Sequence, residues 1–288
     1  EVSGIRKNLF HTPESASQCK VVITFSMKGI ILAGGTGTRL LPLTSIISKQ
    51  LLLVYDRQMI FYPINTLITA GITDILIVVS PANSGDYLNL LGSMFRKHGI
   101  QISFVVQKRP GGLPEAFILG EDFLDGGPVT LVLGDNIFED DFSEAIRTFE
   151  SGGRIFAKEV SDPERFGVVE FDADGKVLSI EEKPALPKSR FAIPGVYIFD
   201  GTVSAVSKSL APSARGELEI VDIHKHYLGQ GSLDVRPIAG AWFDTGTHDA
   251  LLEASVYAKE KGIGQKFHPL VNEAIKEFSA EWKKLVSL

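Results

Sequence analysis

Three glycines, two threonines and a cation stand together in Ala33-Gly34-Gly35-Thr36-Gly37-Thr38-Arg39. Without side chains at Gly34, Gly35 and Gly37, backbone N–H groups can close around phosphate oxygens. Arg39, and Lys49 a little further on, add the positive charge that a polyphosphate demands. Directly upstream, Gly29-Ile30-Ile31-Leu32 is an apolar run of the kind a buried parallel strand shows. The pattern predicts a nucleoside triphosphate site at the C-terminal end of the first strand. It is neither of the two common phosphate loops. A P-loop needs Gly-Lys-Ser/Thr where Gly37-Thr38-Arg39 stands, and a dinucleotide fingerprint needs a third glycine in place of Leu40.

Two carboxylates have comparable placement. Asp135 follows the apolar Val129-Thr130-Leu131-Val132-Leu133, and Asp244 follows Ala241-Trp242-Phe243. Ligands of open α/β sheets gather beyond the carboxyl ends of strands, so Arg39, Asp135 and Asp244 are expected on one edge. Converging there, the two aspartates could hold Mg²⁺, which takes few protein oxygens and completes its shell with substrate phosphates. A strand-end aspartate is also a common turn former. The denser run Glu139-Asp140-Asp141 reads as a solvated loop that caps the next helix. Two further cations stand in Glu181-Glu182-Lys183-Pro184 and in Pro212-Ser213-Ala214-Arg215-Gly216-Glu217-Leu218-Glu219. Lys183 and Arg215 are solvated surface charges by default, and phosphate clamps if they face a cleft.

The elements that must position these groups alternate. A helix is predicted over 63–71, buried strands over 75–79 and 102–106, helices over 87–98 and 114–123, and a strand over 129–133. This spacing predicts an α/β fold: a Rossmann-like open, mostly parallel sheet flanked by helices. From about Arg154 the texture changes. Segments 167–171 and 176–180 flank Asp172-Ala173-Asp174-Gly175, a hairpin signal, and further strands are read at 195–199 and before Asp244. The second half is expected to add these strands and a small lobe to one sheet. Thr247-His248-Asp249 opens a helix through Tyr257.

Composition sets the limits. The 288 residues carry a net charge of −6, which argues against a broad nucleic-acid surface. Cys19 is the only cysteine, so a disulfide framework or a cysteine-based metal site is excluded. No stretch approaches transmembrane length, and 1–26 lacks the order of a secretory signal; a cytoplasmic protein with no membrane partner is expected. Residues 1–26 read as a disordered extension and 27–263 as the folded domain, halved into 27–150 and 151–263. A helical tail is read over 264–288.

Seven motifs then appear in a fixed order: GGTGTRL, SKQLL, LGDNIF, DPERFGVVEFD, EEKP, PSARGELEIVDI and WFDTGTH. In this order they resemble the sugar-phosphate nucleotidylyltransferases, and most closely the glucose-1-phosphate thymidylyltransferases, across roughly 27–261. The resemblance implies the nucleotide-diphospho-sugar transferase fold, with the second half forming a β-rich sugar-binding lobe. It implies Mg²⁺-assisted in-line attack of glucose 1-phosphate on dTTP, giving dTDP-glucose and pyrophosphate, as in dTDP-rhamnose biosynthesis, by a homodimer or homotetramer. The family's catalytic residues fall on Arg39, Lys49 and Asp135. Its nucleotide contacts fall on Gly34, Gly35, Thr36, Gly37, Thr38, Arg39, Gln107, Pro110, Gly112 and Asp135. Sugar-phosphate contacts fall on Lys49, Gly167, Glu182, Lys183, Gly195, Tyr197 and Arg215, and metal ligands on Asp135 and Asp244. His224, His226 and His248 are read as structural.

Some positions depart from the family. Its base loop usually reads close to Gln-Pro-Ser-Pro-Asp-Gly-Leu-Ala-Gln-Ala, and here Lys108, Arg109 and Glu115 differ, which bears on thymine-over-uracil selection. After LGDNIF the family's Tyr-Gly-His is replaced by Glu139-Asp140. Those positions help form the family's regulatory nucleotide site, so weakened end-product inhibition is expected. The alternatives are a nucleotidylyltransferase using UTP or another sugar 1-phosphate, and a catalytically silent nucleotide-sugar-binding regulator. The regulator should lack Arg39, Lys49, Asp135 or Asp244, and all four are present.

Overall fold

The computed structural model describes residues 26–286, so the extension expected over 1–26 lies, Ser26 apart, outside the described residues. The first apolar run forms β1 (Lys28–Ala33). A short hairpin of β2 (Leu53–Val54) and β3 (Arg57–Gln58) leads into α1 (Phe61–Thr69), β4 (Asp74–Val79) and α2 (Ser84–Leu91). Then come β5 (Gln101–Val106), α3 (Glu115–Leu119), α4 (Glu121–Leu124) and β6 (Val129–Leu133). Two helix predictions need correction. The helix read over 87–98 ends at Leu91, because Gly92 lacks the side chain that favours continuation, though Met94 and Phe95 stay buried in the turns beyond. The one read over 114–123 is split at Gly120 into α3 and α4.

β1 lies between β4 and β6, with β5 beyond β4, and all three pairings are parallel. The chain leaves β1 toward β4 on one side and returns to β6 on the other. That reversal opens a crevice at the carboxyl ends of β1 and β6, where an open α/β sheet takes its ligand. Successive residues of β1 and β4 alternate between two apolar cores: Ile31, Ile75 and Ile77 on one face, Ile30, Leu76 and Val78 on the other. Both faces are therefore covered, which is why these strands read as unbroken apolar runs. Each fully buried large aliphatic side chain contributes about 1.5–3 kcal/mol relative to exposure.

β7 (Asn136–Phe138) and α5 (Ser143–Arg147) follow, and the second half adds β8 (Gly153–Glu159), β9 (Gly167–Phe171) and β10 (Val177–Glu182). It continues through β11 (Phe191–Ala192), β12 (Val196–Phe199), α6 (Val203–Ser209), α7 (Ile220–Gly229) and β13 (Leu233–Pro237). β14 (Trp242–Asp244), α8 (His248–Lys261) and α9 (Pro269–Val286) follow. Thr247 caps α8 by accepting the Ala250 N–H, as its sequence predicts, and the expected tail helix is α9.

Among the described residues ten strands form one sheet, and β12 extends the parallel core by pairing antiparallel with β6. The stretch holding β11 and β12 runs past β8 as an interrupted strand. Its first piece pairs with β8 and β9, its second with β8 and β6. The interruption, Ile193-Pro194-Gly195, divides the sheet into two branches. One carries the β6 exit, the other the hairpin of β9 and β10. Among the described residues no helix is long and apolar enough to cross a membrane.

Candidate active site

The glycine loop leaves β1 as expected. Gly37 takes φ +64°, a left-handed backbone that favours glycine, and starts the turn Thr38–Leu40. The Thr44 hydroxyl donates to the Gly37 carbonyl at 2.8 Å and ties the loop to the next turn. Gly34 is buried, while Gly35, Thr36, Thr38 and Arg39 are exposed. The backbone amides thus sit above the crevice with a cation beside them.

Lys49 is held differently. It stands in a turn, Lys49–Leu51, flanked by buried polar side chains. Ser48 Oγ donates to Gln50 Oε1 at 2.8 Å, and the buried Tyr87 hydroxyl lies 2.8 Å from Ser48 Oγ and 3.2 Å from Gln50 Oε1. This network is satisfied internally, so it fixes the turn without leaving orphaned groups. Lys49 Nζ forms an ion pair with Asp135 Oδ2 across the crevice, both side chains being largely buried.

Asp135 and Asp244 are brought together by strand pairing. β7 and β14 form a two-stranded sheet in which Asp244 faces Asn136. Thr245 donates to the Asp135 carbonyl through its N–H at 3.0 Å and its hydroxyl at 2.7 Å. Asn136 Nδ2 donates to Asp135 Oδ1 at 3.1 Å, and Asn136 Oδ1 accepts from the Gly195 N–H and the Trp242 indole N–H. Asp244 therefore ends a strand of this small sheet, not of the large one.

The two acids titrate apart. Burial alone would raise Asp135, but the Lys49 ammonium, with hydrogen bonds from Lys49 and Asn136, holds it below the usual carboxylate range. Asp244 is raised, first by burial and then by the charge of Asp135; Lys49, Arg39 and Arg165 offset this only in part. The Arg39 guanidinium lies against the Cα of Gly246, at the entrance to the same site.

Across a cleft of about 680 Å³ stands the second group. Register places Glu182 opposite Gly167, and Lys183 follows at φ +43°. Glu182 Oε1 lies 3.3 Å from Lys183 Nζ and 3.5 Å from an Arg215 nitrogen. Arg215 grips Glu219 with two hydrogen bonds, 3.2 and 2.7 Å, and Glu219 also accepts from the Ser213 hydroxyl. Both cations are thus held by carboxylates rather than left free to wander. Tyr197 and His224 form the floor, with ring centroids 5.2 Å apart.

The cleft brings together Thr38, Arg39, Asp135, Gly167, Glu182, Lys183, Gly195, Tyr197, Arg215 and Asp244. It does not bring in the rest. Gly34, Gly35, Thr36 and Gly37 lie on the β1 side, and Lys49 meets the cleft through Asp135. Gln107, Pro110 and Gly112 belong to a loop beyond β5, and Gly112 bridges to Leu218. A family model described as "Nucleotidyl transferase" matches residues 28–261. The chain belongs to the nucleotidyl transferase family. It is 50% identical over 238 residues to the glucose-1-phosphate thymidylyltransferase of Mycolicibacterium smegmatis, covering 81% of this chain and 82% of that protein. It is 48% identical over 248 residues to the Neisseria meningitidis glucose-1-phosphate thymidylyltransferase, covering 84% and 86%. A solved Bacillus anthracis structure, a glucose-1-phosphate thymidylyltransferase candidate in complex with a sucrose, superposes with TM-score 0.79 at 41% identity, covering 86% and 99%.

Nucleotidyl transferases of this family generally use a divalent metal. Among the described residues no group of three or more metal-ligating side chains occurs. Two carboxylates, Asp135 and Asp244, stand together at the cleft, and burial followed by the charge of Asp135 keeps Asp244 raised. Such a pair fits a hard divalent cation that takes most of its remaining ligands from water and phosphate. Two lining residues escape the sequence reading. Arg165 lies between Asp162 at 2.6 Å and Asp244 at 3.9 Å, inside the DPERFGVVEFD motif that carries it. Glu219 positions Arg215. His224, read from the sequence as structural, is buried in the cleft floor with both ring nitrogens unpaired among the described residues.

Proposed function

We propose that this nucleotidyl transferase moves a thymidylyl group from dTTP to glucose 1-phosphate, releasing pyrophosphate and giving dTDP-glucose. The observation that carries the reading is the meeting of two charge clusters across one cleft. Lys49, Asp135, Asp244 and Arg39 stand on one side, Lys183 and Arg215 on the other. Residues 27–150 supply the nucleotide half and 151–263 the sugar-phosphate half.

An oxygen of the sugar phosphate attacks the α-phosphorus of dTTP, and the bond from that phosphorus to the bridging oxygen of the β-phosphate breaks. The attacking oxygen is already ionised at neutral pH, so no general base is required. The task is to bring anions together and align them. Lys183 and Arg215 hold the sugar phosphate, with their headgroups steadied by Glu182 and Glu219. Gly167, Glu182, Gly195 and Tyr197 line the sugar. Gly34, Gly35, Thr36, Gly37 and Thr38 present backbone and hydroxyl groups to the triphosphate. Arg39 and Lys49 take up charge on the α-phosphoryl group and the departing pyrophosphate. Mg²⁺ on Asp135 and Asp244 would neutralise phosphate charge and draw the two substrates into line.

The test is pyrophosphate release over a panel of nucleoside triphosphates and sugar 1-phosphates, with Asp135→Asn as control. The expected result is turnover with dTTP and glucose 1-phosphate that falls ~10³-fold in the variant. Activity that ignores glucose 1-phosphate, or survives loss of Asp135, overturns the reading.

A further inference from the structure

A nucleoside triphosphate must approach a chain whose net charge is −6. Long-range repulsion slows such an encounter unless positive charge stands at the entrance. The loop that leaves β5 supplies it. Gln107 begins this loop: its N–H bonds the Val79 carbonyl at the end of β4, and its Oε1 lies 2.8 Å from where a β-carbon of Gly34 would sit. Its amide nitrogen donates to Glu115 Oε2 at 2.6 Å, which engages the one carboxylate of segment 107–116. The far end is tied as well. The Leu218 N–H bonds the Gly111 carbonyl at 2.9 Å, and Gly112 bridges to Leu218 in the segment that carries Arg215. The loop thus forms a rim running from the glycine loop to the sugar-phosphate side of the cleft.

Lys108 and Arg109 stand on this rim. Both are exposed, and among the described residues neither forms an ion pair or a side-chain hydrogen bond. Lys183 and Arg215, by contrast, are held by Glu182 and Glu219. Segment 107–116 carries two cations against one carboxylate, a net +1, where the usual loop of the family has an aspartate and no cation. The Cα atoms of Lys108 and Arg109 lie within about 8 Å of that of Gln107, near one Debye length at physiological salt. We propose that Lys108 and Arg109 are a steering pair that draws in the nucleoside triphosphate by its phosphate charge. The proposal rests on the reading above in which the nucleotide enters beside Gln107. Because the pair acts on charge at a distance, it is blind to the base and to any nucleoside without phosphates. Long, unpaired side chains suit the task, since no carboxylate has to be displaced before they attract an anion.

The plainer reading makes both residues solvated surface cations with no effect on turnover. Ionic strength separates the two. The experiment measures kcat and kcat/KM for dTTP at saturating glucose 1-phosphate, over about 20 to 500 mM NaCl, in wild type, Lys108→Gln/Arg109→Gln and Lys108→Glu/Arg109→Glu. Thymidine, tested as a competitive inhibitor against dTTP, reports on the loop without phosphate charge. At low salt the glutamine pair should lower kcat/KM by ~3- to 10-fold and the glutamate pair further, with kcat unchanged and the gap closing at high salt. The Ki of thymidine should stay within ~2-fold of wild type in both. A glutamine pair with the wild-type kcat/KM and salt slope overturns the proposal alone, and so does an equal loss on thymidine, which would mark a change of loop shape. A wild type that turns over no nucleoside triphosphate overturns the parent reading and this proposal with it.

Discussion

Gly246→Ala offers a test of the site that leaves the fold alone. A β-carbon there would stand 2.7 Å from Arg39 Nη2, 3.1 Å from Cζ and 3.3 Å from Nη1, and its three nearest neighbours all belong to that guanidinium. Ordinary contact lies near 3.5 Å, so the headgroup must retreat by about 0.8 Å. Arg39 is exposed and its stem flexible, so the retreat costs little stability: under ~1 kcal/mol, or at most about 2–4 °C in Tm. Catalysis is less forgiving, because a misplacement near 1 Å costs ~10²-fold. The expected outcome is kcat/KM lowered ~30- to 100-fold in a pyrophosphate-release assay, with Tm lowered by no more than about 2–4 °C. A double-mutant cycle supplies the control, since Gly246→Ala should be silent once Arg39 is already alanine. Near-wild-type rates in the single variant, or an equal loss in the Arg39→Ala background, would refute the argument.

Three further outcomes are expected. Burial pushes His224 down to about 3 from the usual 6.5, so between those pH values the unfolded chain binds the extra proton and stability falls as pH falls. That window is worth up to about 5 kcal/mol, and urea melts at pH 7, 5 and 4 should show His224→Leu flattening the slope. Gly112 sits at φ +94° with its would-be β-carbon 2.0 Å from the Leu218 carbonyl oxygen, so Gly112→Ala should cost about 1–3 kcal/mol and raise the KM for nucleotide. A denaturation curve and a KM titration check it. The pocket lined by Glu139, Asp140, Asp141 and Lys266 is mostly acidic, so inhibition by dTDP-rhamnose should be weak or absent, and tight inhibition in steady-state assays would count against it.

How much of this was legible beforehand differs by feature. β1, β4, β5 and β6 announce themselves because both faces are buried, and their order puts the glycine loop at the crevice. The hairpin of β9 and β10 is legible from its turn, and it places Glu182 and Lys183 correctly at a strand end. What periodicity cannot show is the meeting of Asp135 with Asp244. It depends on β7 and β14, two three-residue strands too short to carry a pattern, joined across more than a hundred positions. The Lys49–Asp135 pair and the Gln107–Glu115 bond are likewise tertiary facts. The over-long helix at 87–98 fails for a related reason. Met94 and Phe95 keep the apolar spacing because they fill the core from a turn. Burial wrote the pattern there, not helix geometry.

The balance of charge in the cleft argues for the division of labour proposed above. Arg39, Arg165, Lys183 and Arg215 line it as cations, and Asp135, Glu182, Glu217, Glu219 and Asp244 as carboxylates; Lys49 behind Asp135 brings the two signs level. A neutral cleft can hold this many ionised groups without substrate, since each cation near the chemistry has a carboxylate to face. The same neutrality means that the protein alone cannot offset a triphosphate and a sugar phosphate arriving together. Either the carboxylates must be masked or further positive charge must enter with the substrates. With Asp135 and Asp244 as the metal ligands proposed above, occupying them would free Lys49 for phosphate. Glu182 and Glu219 stand on the far side and keep steadying Lys183 and Arg215. On this argument, replacing Glu219 by glutamine should raise the KM for sugar phosphate by loosening Arg215, with little effect on the KM for nucleotide. A change confined to the nucleotide KM would break the link between charge pairing and substrate side.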